Sequence, residues 1–193
     1  MPGRQAKLLS KSIIDRCLRL LAKRQAADRD RVIFLLSIRA GLRACEIAGL
    51  DWSMVTDANG RVGRVMVIED AIAKKRGGRR IPIDTELRAA LAALGRYRRR
   101  SGPLIRSSRG GAMRANSIVN WFVLLFAEVG AVGCSSHSGR RTFITHAARN
   151  AHRAGASLRD VQLLAGHRSI EVTQGYIDGD SDAQRRLVLR RFA

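Results

Sequence analysis

The segment His137-Ser-Gly-Arg-Arg-Thr-Phe143 begins a helix that the sequence predicts over residues 137–153. Its histidine and the arginine three residues later lie on one face of a helical turn. Ser135 or Ser136 could cap this helix, and a helix N-terminus favours an anion. Two ordinary exposed polar residues would fit the same spacing, but a histidine and an arginine aimed together at a phosphate would fit it as well.

A second polar segment lies downstream, Leu164-Ala-Gly-His-Arg-Ser-Ile-Glu-Val-Thr-Gln-Gly-Tyr176. Its tyrosine is one of two in the chain and follows His167 by nine residues. A lone tyrosine is usually a core or surface residue. With a phenol pKa near ~10, it needs surrounding cations before it can act as a nucleophile and form a covalent ester.

Two further segments upstream carry arginine and lysine at turns. In Ala40-Gly-Leu-Arg-Ala-Cys-Glu46, Gly41 ends one predicted helix and Arg43 starts the next. An arginine fork can clamp two phosphate oxygens, although a solvated or ion-paired arginine is the commoner case. The segment Lys74-Lys-Arg-Gly-Gly-Arg-Arg-Ile-Pro82 holds two of the five lysines. It predicts a cationic hairpin tip that contacts phosphates and could deliver a proton.

The charge balance points to a polyanionic partner. The chain has 193 residues, 36 Lys plus Arg and 16 Asp plus Glu, for a formal net charge of +20. One domain is the expectation at this length, and a strongly basic domain favours nucleic acid. Genome bias toward arginine is the alternative explanation. With 5% aromatic residues, stacking on single strands is disfavoured, and contact with duplex phosphates is favoured.

Several other classes are excluded by missing patterns. The chain has no Gly-x4-Gly-Lys-Ser/Thr loop, no His-Glu-x-x-His and no carboxylate cluster for a two-metal nuclease, so we expect no metal and no cofactor. No apolar run approaches 18 residues and no signal peptide is present, so no membrane role is expected. Cys17, Cys45 and Cys134 form no CxxC pair, which excludes a zinc ribbon and favours a reducing cytoplasm.

The periodicity predicts mostly helix around one small antiparallel sheet, an α+β class without βαβ alternation. Extended runs are expected over residues 62–68, 70–74 and 79–83, with a hairpin signal at Gly77-Gly78. Helices are expected over residues 5–26, from Asp28 to near Gly41, 44–49, from Asp84 or Thr85 to Arg96–Arg100, 115–129, 137–153, 158–165 and 181–192.

Taken together and in this order, the four segments resemble the catalytic domain of the tyrosine recombinase (phage integrase) family. The motifs are Gly41-Leu-Arg-x-x-Glu46, Lys74 with Arg79-Arg-Ile-Pro82, His137-x-x-Arg-x-Thr-Phe143, and Leu164-x-Gly-His167 with Thr173-x-x-Tyr176. The resemblance covers about residues 5–193. It implies a tyrosine-recombinase-like fold, with residues 1–193 forming a single catalytic domain that acts on double-stranded DNA.

The resemblance also implies a role for each motif residue. Tyr176 would attack the scissile phosphate and stay joined to the 3′ phosphate, releasing a 5′ hydroxyl. The other implied catalytic residues are Arg43 and Arg140 on the non-bridging oxygens, His137 as proton acceptor, His167 as hydrogen-bond donor to the phosphate, and Lys74 as the acid, with Lys75 as the fallback. DNA contacts are expected from Lys75, Arg76, Arg79 and Arg141, and Glu46 is interpreted as structural.

The chain departs from the family pattern at a few positions. Arg141 stands where many relatives have His, Gly139 where Leu is usual, and Ile177-Asp178 where many relatives have a His two residues after the tyrosine. Gly139 is expected to weaken the start of its helix. About 40 residues precede Arg43, so the N-terminal core-binding domain of most relatives is expected to be absent. The chain could be a fragment or a short enzyme similar to the fimbrial phase-switch invertases.

The leading hypothesis is a site-specific DNA recombinase of the integrase or invertase type. A type IB topoisomerase-like enzyme and a DNA-binding relic without recombination activity are the alternatives. Leu187, Val188 and Phe192 form an apolar stripe near the C-terminus that must be buried. In the family this helix commonly packs on a neighbouring protomer, so we expect a tetramer on paired DNA sites and a monomeric or weakly associated free protein.

Overall fold

The computed structural model describes residues 6–73, 78–96 and 100–176. Within these ranges the chain forms eight α-helices and one two-stranded antiparallel sheet, which confirms the mainly helical α+β class. No described helix has the length and apolarity needed to cross a membrane. The elements are α1 Lys11–Leu21, α2 Ala27–Arg39, α3 Ala44–Gly49, β1 Val65–Ile68, β2 Arg79–Pro82, α4 Thr85–Leu94, α5 Ala115–Glu128, α6 Ser138–Asn150, α7 Leu158–Ala165 and α8 Ile170–Gln174.

Helix α2 lies at the centre of the main core. Every residue from Val32 to Ile38 is buried, so this helix has no wide polar face. It packs against α4 on one side and α6 on another, while α3 packs on α5. A smaller second cluster joins α6 and α7 through Ile144 and Val161. Helix α6, which begins with the first motif discussed above, is therefore held between two apolar clusters.

The sheet has two strands where the sequence predicted three extended runs. Strand β1 pairs directly with β2 in the register Val65↔Pro82 to Ile68↔Arg79. The predicted strand over residues 70–74 is wrong for residues 70–73, which form a turn in which the Ile72 and Ala73 N–H groups both donate to the Glu69 carbonyl. Ala73 is buried, because this turn folds back on the core instead of extending the sheet.

Two predicted helices are shorter in the structure, and one helix was missed. The helix expected over residues 5–26 is α1 alone, capped by the Ser10 side chain, which accepts from the Ile13 N–H. Helix α4 is capped by Asp84 and ends at Leu94, with Gly95 as its C-cap, short of the predicted arginine end. Helix α8 had not been expected. The predicted helix over residues 181–192 lies outside the described residues.

Gly139 has a packing reason that its sequence position did not reveal. A Cβ at this residue would press on the Ser37 side chain, 2.9 Å from the Ser37 Cβ, and would lie 3.1 Å from Ile38 Cγ2. Glycine therefore lets α6 approach α2 closely. The expected cost of a glycine in the first helical turn is offset by this close contact between the two helices.

Candidate functional site

A cleft of roughly 750 Å³ runs between the start of α6, α8 and the N-terminal segment. It brings together side chains that are far apart in the sequence. Six residues singled out from the sequence line it: Arg43, His137, Arg140, Arg141, His167 and Tyr176.

Arg140 is the buried centre of this cleft, with 4% of its surface exposed. Its guanidinium donates to the Gly41 carbonyl at 2.6 Å, to the Ala165 carbonyl at 2.7 Å and to His167 Nε2 at 3.0 Å. Gly41 has φ +64°, and a Cβ there would collide with the Phe143 ring. The left-handed glycine that ends α2 thus lets its own carbonyl face Arg140.

A buried carboxylate holds the second arginine. Glu46 is fully buried and accepts from the backbone N–H of Arg43 at 2.8 Å and from Arg43 Nη1 at 3.1 Å. It also accepts two hydrogen bonds from Arg79, at 2.9 and 3.1 Å. Burial raises the pKa of Glu46, but the hydrogen bonds and charges of Arg79 and Arg43 outweigh it and lower the pKa overall. The structural interpretation of Glu46 is confirmed.

Positive charge is concentrated around the cleft. The guanidinium groups of Arg43 and Arg79 bind the buried carboxylate of Glu46, and Arg140 lies close enough to all three groups to feel their charges. Burial, followed by the charge of Arg43, lowers the pKa of Arg140 to about 10, so its guanidinium remains charged at neutral pH. Arginines held this closely repel one another, and an anion between them would relieve that repulsion.

The hydrogen bonds of His167 define its protonation state. Arg140 can only donate, so His167 Nε2 accepts from it, and the ring proton lies on Nδ1. His167 Nδ1 then donates to Thr173 Oγ1 at 2.9 Å, and Thr173 is fully buried. Burial, followed by the charges of Arg140, Arg43 and Arg79, lowers the pKa of His167 to about 4. The imidazole is therefore neutral in this structure.

Tyr176 stacks on the ring of His167. The two ring centroids are 5.6 Å apart, with an angle of 20° between the planes. The tyrosine also packs against the second apolar cluster, and its N–H donates to the Thr173 carbonyl at 3.1 Å. These contacts place the phenol beside Arg140 and the other cations of the cleft.

His137 is exposed at the mouth of the cleft, directly before α6. Its Nδ1 lies 3.4 Å from Ser136 Oγ, and its N–H donates to Ser135 Oγ at 3.3 Å. The residue at the N-cap position is His137 itself, and no side-chain cap is formed there, so the predicted serine cap is wrong. The three-residue spacing nevertheless places His137 and Arg140 in one cleft.

The predicted DNA-contact residues have different environments. Arg79 does not fit the prediction: its side chain is 6% exposed and is bound to Glu46 and to the Leu164 carbonyl. Arg141 lines the cleft and donates to the Ala6 carbonyl at 2.7 Å. The other two predicted DNA contacts, Lys75 and Arg76, lie outside the described residues. The predicted acid, Lys74, lies outside them as well.

Sequence reasoning assigned no role to two residues, Lys7 in the lining of the cleft and Thr173, which is buried beside His167. Lys7 lies over Gly133, where a Cβ would be 2.9 Å from Lys7 Cε. An isolated lysine near the N-terminus carries no signal of this placement. Thr173 orients His167, and its place three residues before Tyr176 in the quoted motif was the available signal.

Comparison with known sequences finds one matching family and relatives that are named tyrosine recombinases. Residues 7–182 match the sequence model of the phage integrase family. Tyrosine recombinase XerC of Myxococcus xanthus is 32% identical over 164 residues, covering 77% of this chain and 49% of that protein. Tyrosine recombinase XerD of Pseudomonas aeruginosa is 33% identical over 161 residues, with the same two coverages. The chain spans about half the length of the curated relatives it matches.

Comparison with solved structures shows that this chain shares its fold with a recombinase and an integrase. The crystal structure of XerA recombinase superposes with a TM-score of 0.75 at 21% identity, covering 99% of this chain and 68% of that one. The Tn1549 transposon integrase in complex with transposon right end DNA gives 0.77 at 17% identity, covering 99% and 67%. The sequence match over residues 7–182 and these two folds lead to one conclusion: this chain belongs to the phage integrase family.

Proposed function

We propose that this protein is a site-specific recombinase that cuts and rejoins double-stranded DNA through a 3′-phosphotyrosine intermediate. The observation that carries this proposal is the cleft in which Tyr176 lies beside Arg43 and Arg140, with excess positive charge around it. The named relatives are tyrosine recombinases, and one structural neighbour is bound to transposon DNA. The chain would act as a catalytic domain.

The proposed reaction uses fixed side chains in place of a metal. The Tyr176 oxygen forms a bond to phosphorus, the bond from phosphorus to the 5′ oxygen breaks, and His137 accepts the phenol proton. Arg43 and Arg140 stabilise the extra charge on the non-bridging oxygens. Lys74 protonates the departing 5′ oxygen, with Lys75 as the fallback. The reverse steps rejoin the strand without ATP, because the ester retains the bond energy.

The first test traps the intermediate. A pool of nicked duplexes of randomised sequence should yield DNA joined covalently to the protein, seen on a denaturing gel and recovered by phenol partition. The adduct should form equally well in EDTA, since the positive charge is supplied by the protein. Loss of adduct in EDTA with recovery in Mg²⁺ would contradict the mechanism.

The same trapping experiment separates the alternatives. Sequencing the recovered DNA should give a recurrent site, and two copies of that site should exchange strands. Adduct and plasmid relaxation without exchange would favour a topoisomerase-like enzyme. DNA binding without any adduct would favour a relic of the family.

The titration of His167 should change when the cleft binds an anion. In the free protein the imidazole should stay neutral down to a pH of about 4. A bound phosphate would counter the arginine charges that depress the pKa of His167, so that pKa should rise toward its ordinary value and let Nε2 donate to the phosphate. Proton–nitrogen NMR with and without saturating orthovanadate measures this, and His167→Gln assigns the resonance. An ordinary His167 pKa in the free protein would contradict the geometry.

We further propose that four protomers assemble on paired DNA sites and that the free protein is monomeric or weakly associated. The apolar stripe of residues 187–192 would pack on a neighbouring protomer, and it lies outside the described residues. Deleting residues 181–193 should then impair exchange between two sites more than adduct formation on one. Equal loss of both activities would indicate a helix that packs on its own domain.

A further inference from the structure

Two adjacent arginines on β2 lie in opposite environments. The antiparallel register places Arg79 opposite Ile68 and Arg80 opposite Val67. Ile68 is buried and Val67 is exposed, so Arg79 lies on the buried face of the sheet and Arg80 on the exposed face. Both residues add one positive charge to the same strand, yet the Arg79 guanidinium is inside the protein.

One edge of the Arg79 guanidinium faces Glu46. Nη1 and Nη2 each donate to one carboxylate oxygen, at 2.9 and 3.1 Å, while the same carboxylate holds Arg43. If Arg79 were lost, Arg43 would be the one cation of this pair still bound to the buried carboxylate of Glu46. Arg43 would then turn toward Glu46 and away from the cleft, because an uncompensated buried carboxylate is costly.

The other edge of the guanidinium faces the end of α7. Arg79 Nε donates to the Leu164 carbonyl at 2.9 Å, and Arg140 donates to the neighbouring Ala165 carbonyl. Two arginines thus bind the last carbonyls of a helix, where its dipole favours cations. The chain then reverses at Gly166, with φ +63°, where a Cβ would lie 3.0 Å from Arg79 Nη1. His167 follows directly.

We propose that Arg79 is a positioning residue that fixes Arg43, through Glu46, and the turn carrying His167, through the Leu164 carbonyl, relative to the hairpin strand β2. It acts on the reaction without touching DNA. This proposal rests on the proposed function. Arginine is required because its planar fork reaches the carboxylate with two N–H groups and the carbonyl with a third, which a single ammonium group does not match.

The test compares Arg79→Lys with a matched control, Arg80→Ala, on the exposed face of the same strand. We expect Arg79→Lys to lower the rate of adduct formation at saturating nicked DNA by about 10²-fold, the usual effect of a misplaced catalytic group. DNA affinity and its salt dependence should stay within about two-fold of wild type, since no phosphate contact is lost. Arg80→Ala should form adduct at the wild-type rate once DNA is saturating.

Loss of folding must be separated from loss of positioning. Each variant is therefore assayed well below its own melting temperature, with its circular dichroism compared with wild type. A folded Arg79→Lys variant with a wild-type adduct rate would overturn the proposal. So would a variant that loses affinity but keeps the saturated rate, because that pattern would make Arg79 a DNA contact.

An activity-independent readout keeps this test apart from the test of the function. The Arg43 Nε–H resonance should shift in Arg79→Lys and stay unchanged in Arg80→Ala. If the wild-type protein forms no adduct, the proposed function fails. The Arg43 resonance would then still show whether Arg79 positions Arg43. An unchanged resonance in Arg79→Lys would overturn the proposal.

Discussion

Tyr176→Phe should abolish the covalent adduct while DNA binding persists. The substitution removes the hydroxyl that would bond to phosphorus and leaves the ring stacked on His167 and packed against the second apolar cluster. The free energy of unfolding should change by no more than about 0.5 kcal/mol, because no buried contact is lost. Denaturing gels of nicked-duplex reactions, with thermal unfolding in parallel, measure both expectations.

The matched control is the other tyrosine of the chain, Tyr97, which lies outside the described residues. Tyr97→Phe should form adduct at the wild-type rate. An adduct that survives in Tyr176→Phe and disappears in Tyr97→Phe would move the nucleophile to Tyr97 and would contradict the geometry of the cleft.

Arg140→Ala and Arg43→Ala should affect catalysis alike and stability differently. Each should lower the rate of adduct formation by at least ~10²–10³-fold, the usual effect of losing one donor to a developing oxyanion. Arg140→Ala also leaves the Gly41 and Ala165 carbonyls without their guanidinium donor, at a cost of about 3 kcal/mol in the free energy of unfolding. Arg43→Ala should cost about 1 kcal/mol, because Arg79 still binds Glu46.

Thermal unfolding distinguishes the two arginines. For a domain of this size, about 1 kcal/mol shifts the melting temperature by about 2–4 °C, so Arg140→Ala should melt about 6–12 °C lower and Arg43→Ala about 2–4 °C lower. Both variants remove one positive charge, so the general effect of that loss on DNA affinity should be the same in each. Equal losses of stability would show that the carbonyl contacts of Arg140 contribute little to the fold.

Local sequence signals predicted α3 and α7 at their observed boundaries, but they missed α8, which leads to Tyr176. Helix α3 begins and ends where the arginine-containing turn and Gly49 indicated, and α7 begins after Ser157, which forms a capping box with Asp160. These helix boundaries are set by capping residues and glycines only a few residues away, so they can be predicted from the local sequence. The strand expected over residues 70–74 is wrong for the described residues 70–73, because apolar residues of strand-like sequence can also form a turn that faces the core.

The order of four short motifs, with a charge of +20, was enough to indicate the family and six of the residues that line the cleft. The sequence could not tell which arginines face the cleft and which are buried, because that depends on contacts between segments far apart in the chain. Arg79 and Arg80 are neighbours of identical type, yet the pairing of β2 with β1 turns one toward Glu46 and the other toward solvent. The protonation of His167 likewise depends on Arg140 and Thr173, which tertiary packing brings to its two ring nitrogens.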